Sequence, residues 1–187
     1  MNRLLPLSIS AIFSILLITS NVIARWQQSA IFRQYETIDE PLRCILEQDE
    51  FLADESNNRI YVINLWATWC PPCMKEIPHL NQLVDKYEED GVLFLAINGE
   101  KEKDVVEWMD YQKNDFIYFH LHNQKQLMNY LFELNPNETH KTGQKPQHLP
   151  TNIIISNGEL TFFNAGYSDE ALVELEHALK KCLMTHP

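Results

Sequence analysis

The chain has 187 residues and a mass of 22.0 kDa, which suits one domain rather than two. Apolar residues make up 45% and charged residues 22%, the balance of a globular protein rather than a disordered one. Fifteen Lys and Arg against 26 Asp and Glu give a net charge of −11, which argues against a nucleic-acid partner, and four Cys are too few for a disulfide-stapled scaffold.

The first element is hydrophobic. Arg3 precedes an uncharged stretch, residues 4–24, rich in Leu and Ile. At 1.5 Å per residue it reaches about 30 Å, the thickness of a bilayer core. Two readings stand open. It is a signal peptide with a small-residue cleavage site at Val22-Ile23-Ala24, or an uncleaved signal anchor with Arg25 and Trp26 at the interface. Its length exceeds the roughly 7–15 residues of a signal-peptide core, which favours the anchor. No Cys directly follows it to accept a lipid. Both readings put the rest of the chain outside the cytoplasm, where disulfides persist. Residues 1–25 are therefore assigned to export or anchoring, 26–58 to an N-terminal extension and 59–187 to the folded domain.

Within the extension, Leu42, Ile45 and Leu46 predict a short helix near 40–48. Residues 60–67 (IYVINLWA) form an apolar run rich in β-formers, which predicts a strand buried on both faces. Residues 71–90 read as a helix, with Ile77, Leu80, Leu83, Val84 and Tyr87 on one face and Gly91 as its stop. A second buried strand is expected at 92–97, a helix at 102–113, a third strand at 116–121 and a helix at 124–134. Residues 135–149 are polar, contain Pro136, Gly143 and Pro146, and read as an irregular loop. Strands at 151–155 and 159–163 are joined by Ser156-Asn157-Gly158, a hairpin signal. A last helix spans 168–183, with Ser168 as N-cap and Leu172, Leu175, Leu179 and Cys182 on its inner face. The order predicts an α/β sandwich around a mixed sheet.

The chemically informative stretch is Trp69-Cys70-Pro71-Pro72-Cys73, at the junction of a buried strand and a helix. Two Cys three positions apart lie about one helical turn apart, within disulfide reach. Cys70 would sit at the helix N-terminus, where unpaired N–H groups and the helix dipole favour the thiolate. Pro71 suits the first turn, because its missing N–H has no intrahelical role there. The thiolate is the nucleophile of thiol–disulfide exchange, so Cys70 is the expected attacking residue. Cys73, deeper in the helix and more buried, is the expected resolving thiol. A zinc half-site lacks its second ligand pair, since Cys44 and Cys182 are isolated. An inert structural disulfide remains an alternative.

Residues 64–78 (NLWATWCPPCMKEIP) resemble the thioredoxin superfamily, and within it the TlpA/ResA/DsbE-like branch of extracytoplasmic thiol–disulfide oxidoreductases. The resemblance covers about residues 35–187 and is most specific from 60 to 80. It implies a thioredoxin fold, with a central mixed β-sheet flanked by helices, for residues 59–187. It also implies a membrane-tethered or periplasmic location and a reducing role, often in cytochrome c maturation. The expected partners are a disulfide-containing protein substrate, an upstream membrane thiol reductase, and the membrane itself through the N-terminal segment. No metal, flavin or nucleotide cofactor is expected, because the two thiols carry the electrons.

The same resemblance assigns further residues. Asn64 stands where cytosolic thioredoxins carry a buried proton-accepting Asp, a role Asn cannot fill. Glu76, three residues after Cys73 on the same helix face, matches an acidic residue of the ResA-like branch and is expected to handle the Cys73 proton, its pKa raised by partial burial. Pro78 matches the family's helix proline and is expected to kink the helix. Pro150 matches the cis-proline that packs against the disulfide, the residue before it pairing with the substrate chain. Leu149 departs from the small or polar residue usual there. Trp69, Pro71, Pro72, Leu149 and Pro150 are thus the expected substrate-contacting residues. The rival readings are an oxidase that installs disulfides, and a tethered binding or scaffold module with a structural disulfide.

Other residues are assigned lesser roles. Trp66 is expected in the core or beside the dithiol. Cys44 and Cys182 read as buried small hydrophobes. His120 and His122 would share a strand face, a weak two-His metal signal without a third local ligand.

Overall fold

The structure is a computed structural model, and it describes residues 41–42, 60–112, 119–136 and 148–185. All of them fall in the compact unit Thr37–Pro187. The hydrophobic segment 4–24, Cys44 and most of the predicted helix near 40–48 lie outside the described residues; Pro41 and Leu42 are helical. Among the described residues no helix is long and apolar enough to cross a membrane.

The elements follow in the order β1 (Ile60–Trp66), α1 (Pro71–Tyr87), β2 (Val92–Asn98), α2 (Glu102–Gln112), β3 (Phe119–Leu121), α3 (Lys125–Glu133), β4 (Thr151–Ser156), β5 (Glu159–Ala165) and α4 (Asp169–Thr185). They build one five-stranded sheet in the order β3-β2-β1-β4-β5. β1, β2 and β3 run parallel, while β4 is antiparallel to both β1 and β5. This is the mixed sheet that the sequence predicts.

Every residue of β1, β2 and β4 is buried, because both sheet faces are covered. On one face Val62, Trp66, Phe94, Ala96 and Ile154 pack with Leu80, Leu83 and Val84 of α1, Val105 of α2, and Leu175 and Leu179 of α4. On the other, Tyr61, Ile63, Leu65, Leu95, Ile97 and Ile153 pack with Leu127, Leu131 and Phe132 of α3. The strand period of two divides each apolar run between the two cores.

Element ends have local causes. α1 stops at Tyr87, three residues short of the sequence expectation. A 3₁₀ turn, Glu88–Asp90, follows it and closes on Gly91 at φ 74. The β4–β5 hairpin turns on Asn157 and Gly158, at φ 51 and 78, the positive values a tight hairpin requires. Ser168 caps α4 as expected, its Oγ accepting the Ala171 N–H at 3.1 Å. Pro78 lies within α1.

Candidate active site

The site forms where β1 ends and α1 begins. Ala67 leaves the strand and its carbonyl accepts the Cys70 N–H at 3.1 Å, so the chain turns sharply before the helix. Cys70 then stands at the N-terminus of α1. Its carbonyl accepts the N–H of Cys73 (3.1 Å) and of Met74 (3.4 Å). Its Sγ accepts the Cys73 N–H at 3.3 Å, the sulfur counterpart of a side-chain cap. Cys70 and Cys73 are joined in a disulfide with Cα atoms 5.4 Å apart.

Exposure does not separate the two cysteines in the way the sequence suggests. Cys70 is 3% exposed and Cys73 1%. Cys70 is packed with Trp66 and Ala67 in the helix-covered core, so its burial rivals that of Cys73. What distinguishes the two is position, since Cys70 alone stands at the helix end.

Glu76 is buried with 1% exposure, one turn after Cys73. Asn64 Nδ2 donates to its Oε2 at 3.0 Å, and Asn152 Nδ2 donates to its Oε1 at 2.5 Å. Asn64 Nδ2 also donates to Asn152 Oδ1 at 3.0 Å. Burial pushes the Glu76 carboxyl up from 4.5 to about 7, against the downward pull of the Asn152 and Asn64 amides. Asn64 thus donates to a buried carboxyl that comes from the helix. Asn152 has no counterpart in the sequence reading. The signal that would have found it is its place two residues after Pro150, in antiparallel register with Asn64.

A second carboxylate secures the loop before Cys70. Glu100 accepts the Thr68 N–H at 2.8 Å, the Thr68 hydroxyl at 2.7 Å and the Asn98 amide at 3.0 Å. Burial raises its pKa, but the Thr68 and Asn98 hydrogen bonds outweigh that and hold it below the ordinary carboxylate value. Trp69, the next residue, is 67% exposed. Pro71 is exposed and Pro72 half-buried.

The Leu149–Pro150 peptide bond is cis. Pro150 is buried and immediately precedes β4, whose Thr151 pairs with Leu65 near the end of β1. The Pro150 carbonyl accepts the Gly166 N–H at 2.7 Å, and the Thr151 hydroxyl donates to the His148 carbonyl. Leu149 is half-buried and packs against both cores. The sheet register thus brings the Pro150 loop to the strand end that launches the dithiol.

Trp66 is fully buried, its ring 5.7 Å from Trp108 and 5.9 Å from His120. His120 and His122 lie 5.5 Å apart. Burial, then the neighbouring His122, lowers His120 to about 4, which keeps it neutral. No group of three or more His, Cys, Asp or Glu among the described residues is arranged to hold a metal. Cys182 is a buried free thiol whose Sγ donates to the Thr161 hydroxyl at 3.5 Å.

Comparison with known proteins places this geometry. The AhpC/TSA family matches residues 44–162. The thiol-disulfide oxidoreductase ResA of Halalkalibacterium halodurans is 30% identical over 131 residues, covering 69% of this chain and 66% of the relative, just under two thirds of its length. A putative thiol:disulfide interchange protein DsbE from Chlorobium tepidum superposes with a TM-score of 0.57 at 21% identity, over 71% of this chain and 84% of that one. A thioredoxin family protein from Chlorobium tepidum TLS superposes with a TM-score of 0.53 at 23% identity, over 70% and 83%. The fold is a thioredoxin fold, and the TlpA/ResA/DsbE-like relationship expected from residues 64–78 is supported.

Proposed function

We propose that this chain, which belongs to the AhpC/TSA family, is a thiol–disulfide oxidoreductase of the ResA/DsbE type that reduces disulfides in a partner protein. One observation carries the reading. The Cys70–Cys73 pair opens a helix with its first sulfur on a backbone N–H, one turn from a buried carboxyl whose pKa is about 7.

The reaction begins with the dithiol reduced. The Cys70 thiolate attacks a partner disulfide, and one partner sulfur leaves as a thiol. Cys73 then attacks Cys70 Sγ, displaces the partner's other sulfur as a thiolate and closes the Cys70–Cys73 bond. Two electrons pass to the partner, and an upstream thiol donor must restore the dithiol. Glu76 takes the Cys73 proton, Trp69 offers an exposed apolar contact beside the sulfur, and the Leu149–Pro150 loop orients the partner chain. Pro71 and Pro72 support the reducing direction. Neither has an N–H, so the first turn offers the Cys70 sulfur the Cys73 N–H and little else. A thiolate stabilised by fewer donors makes the dithiol the stronger reductant.

The hydrophobic residues 4–24 support a location on the outer face of a membrane, tethered or released, and with it a membrane thiol reductase as electron source. Apocytochrome c is one disulfide protein that fits such a place.

Cys70→Ser is expected to abolish reduction of a disulfide protein such as insulin, and Cys73→Ser to accumulate a mixed disulfide. Full activity in Cys70→Ser overturns the assignment. A glutathione titration is expected to place the potential below that of the glutathione pool; a value well above it would make the protein an oxidase.

A further inference from the structure

Glu76 is held by two strands. Asn64 of β1 and Asn152 of β4 are register partners, so their side chains leave the same sheet face side by side. Each donates to a different oxygen of the carboxyl, and Asn64 also donates to Asn152. All three side chains are at most 3% exposed. The inward residue two positions on, Ile154, shows what β4 ordinarily supplies to this core. An apolar residue at 152 would leave Glu76 with one amide donor and a free, buried Oε1.

We propose that Asn152 is a positioning residue for the proton-transfer step of dithiol exchange: its amide fixes the Glu76 carboxyl against Asn64 and keeps it in the form that accepts the Cys73 proton. The inference rests on the oxidoreductase reading above and deepens it. In that step the Cys73 S–H gives its proton to the Glu76 carboxylate. The Cys73 sulfur attacks Cys70 Sγ of the mixed disulfide. The Cys70–partner S–S bond breaks as the Cys70–Cys73 bond forms. The partner sulfur leaves with the electron pair and takes a proton from water.

Two N–H donors favour the anion of Glu76, while its burial favours the acid. Removing Asn152 tips the balance toward the acid, which cannot accept a proton. The surrounding elements supply few competing charges. α1 brings Cys73, and the segment before α4 brings Tyr167, whose hydroxyl donates to Asp169 and senses the Glu76 charge. β1 and β4 bring the two neutral amides. β3 brings neutral His120, in the same row as Asn64 with Ala96 between them.

The test uses the full chain with Asn152→Ala and Asn152→Thr, the latter keeping a hydroxyl donor. The Glu76 carboxyl band is titrated by infrared difference spectroscopy on the oxidised protein, with Glu76→Gln identifying the band. Resolution of a preformed Cys70 mixed disulfide is followed against pH by stopped flow. In Asn152→Ala the carboxyl midpoint is expected to rise by about one pH unit, leaving roughly one-fifth as much carboxylate at pH 7. Resolution at pH 7 then slows about fivefold and recovers at higher pH. Asn152→Thr lies between, and the Cys70 thiol titration is unmoved. A wild-type midpoint and pH profile in folded Asn152→Ala overturns the proposal, as does slowing that is equal at every pH. If the Ala variant does not fold, the Thr variant decides by the same two readouts. Absence of exchange in the wild type would overturn the oxidoreductase reading; exchange in the wild type with an unmoved variant midpoint overturns the role of Asn152 alone.

Discussion

Burial of Glu76 makes its ionised form costly in the folded chain. A carboxyl with a folded pKa of about 7 against 4.5 in the unfolded chain binds its proton more tightly when folded. Its stabilising contribution is therefore fully present below pH 4.5 and is lost as pH rises to about 7. The shift corresponds to roughly 3 kcal/mol as a ceiling. Urea unfolding of the oxidised wild type is expected to show stability falling across that window. Glu76→Gln is expected to flatten the slope and to be the more stable protein at pH 8, by about 1–3 kcal/mol. An unchanged slope in the variant would place the titration on another group. The carboxyl itself was legible from the family resemblance of residues 64–78 together with its spacing to Cys73. Its partners were not, because Asn64 and Asn152 are 88 positions apart and meet only through the β1–β4 register.

The elements place the sulfur pair more firmly than the motif alone suggests. β1 ends at Trp66 because Ala67 already belongs to the turn that closes on Cys70. Glu100, just past β2, grips both the N–H and the hydroxyl of Thr68 in that turn. Glu100→Ala is expected to speed hydrogen exchange at the Thr68 amide by about tenfold or more and to raise KM for a protein disulfide more than it lowers kcat. Wild-type protection at Thr68 would show that the loop holds itself. Because the folded pKa of Glu100 is depressed, its grip is present above the unfolded value and weakens as pH falls through the folded one. The strands and helices flanking this turn were readable from periodicity and turn residues, and Ser168 and Asn157-Gly158 did what their chemistry dictates. The Thr68–Glu100 clamp was not, since a carboxylate 32 residues away looks like any other surface charge until β1 and β2 lie in register.

For the molecule as a whole, charge is the property most exposed to experiment. A net charge of −11 attracts basic partners and repels acidic ones over about a Debye length, roughly 8 Å at physiological salt. Reduction of a basic disulfide protein is expected to slow several-fold between low salt and about 0.5 M salt, through the association rate. An acidic substrate should show the opposite trend, and salt-independence for both would mean that contact at the sulfur pair alone governs encounter. The sheet constrains how such a partner can dock. β5 forms one margin of the sheet, and its pairing with β4 slips between Ile154 and Ile155, leaving Thr161 out of the ladder with its hydroxyl donating to the Ile154 carbonyl. That irregularity spoils the flat hydrogen-bonding rim a foreign strand would need. Under the proposed function, a client polypeptide would find no regular rim for strand pairing at this margin and would meet the chain instead at the helix end that holds the sulfurs.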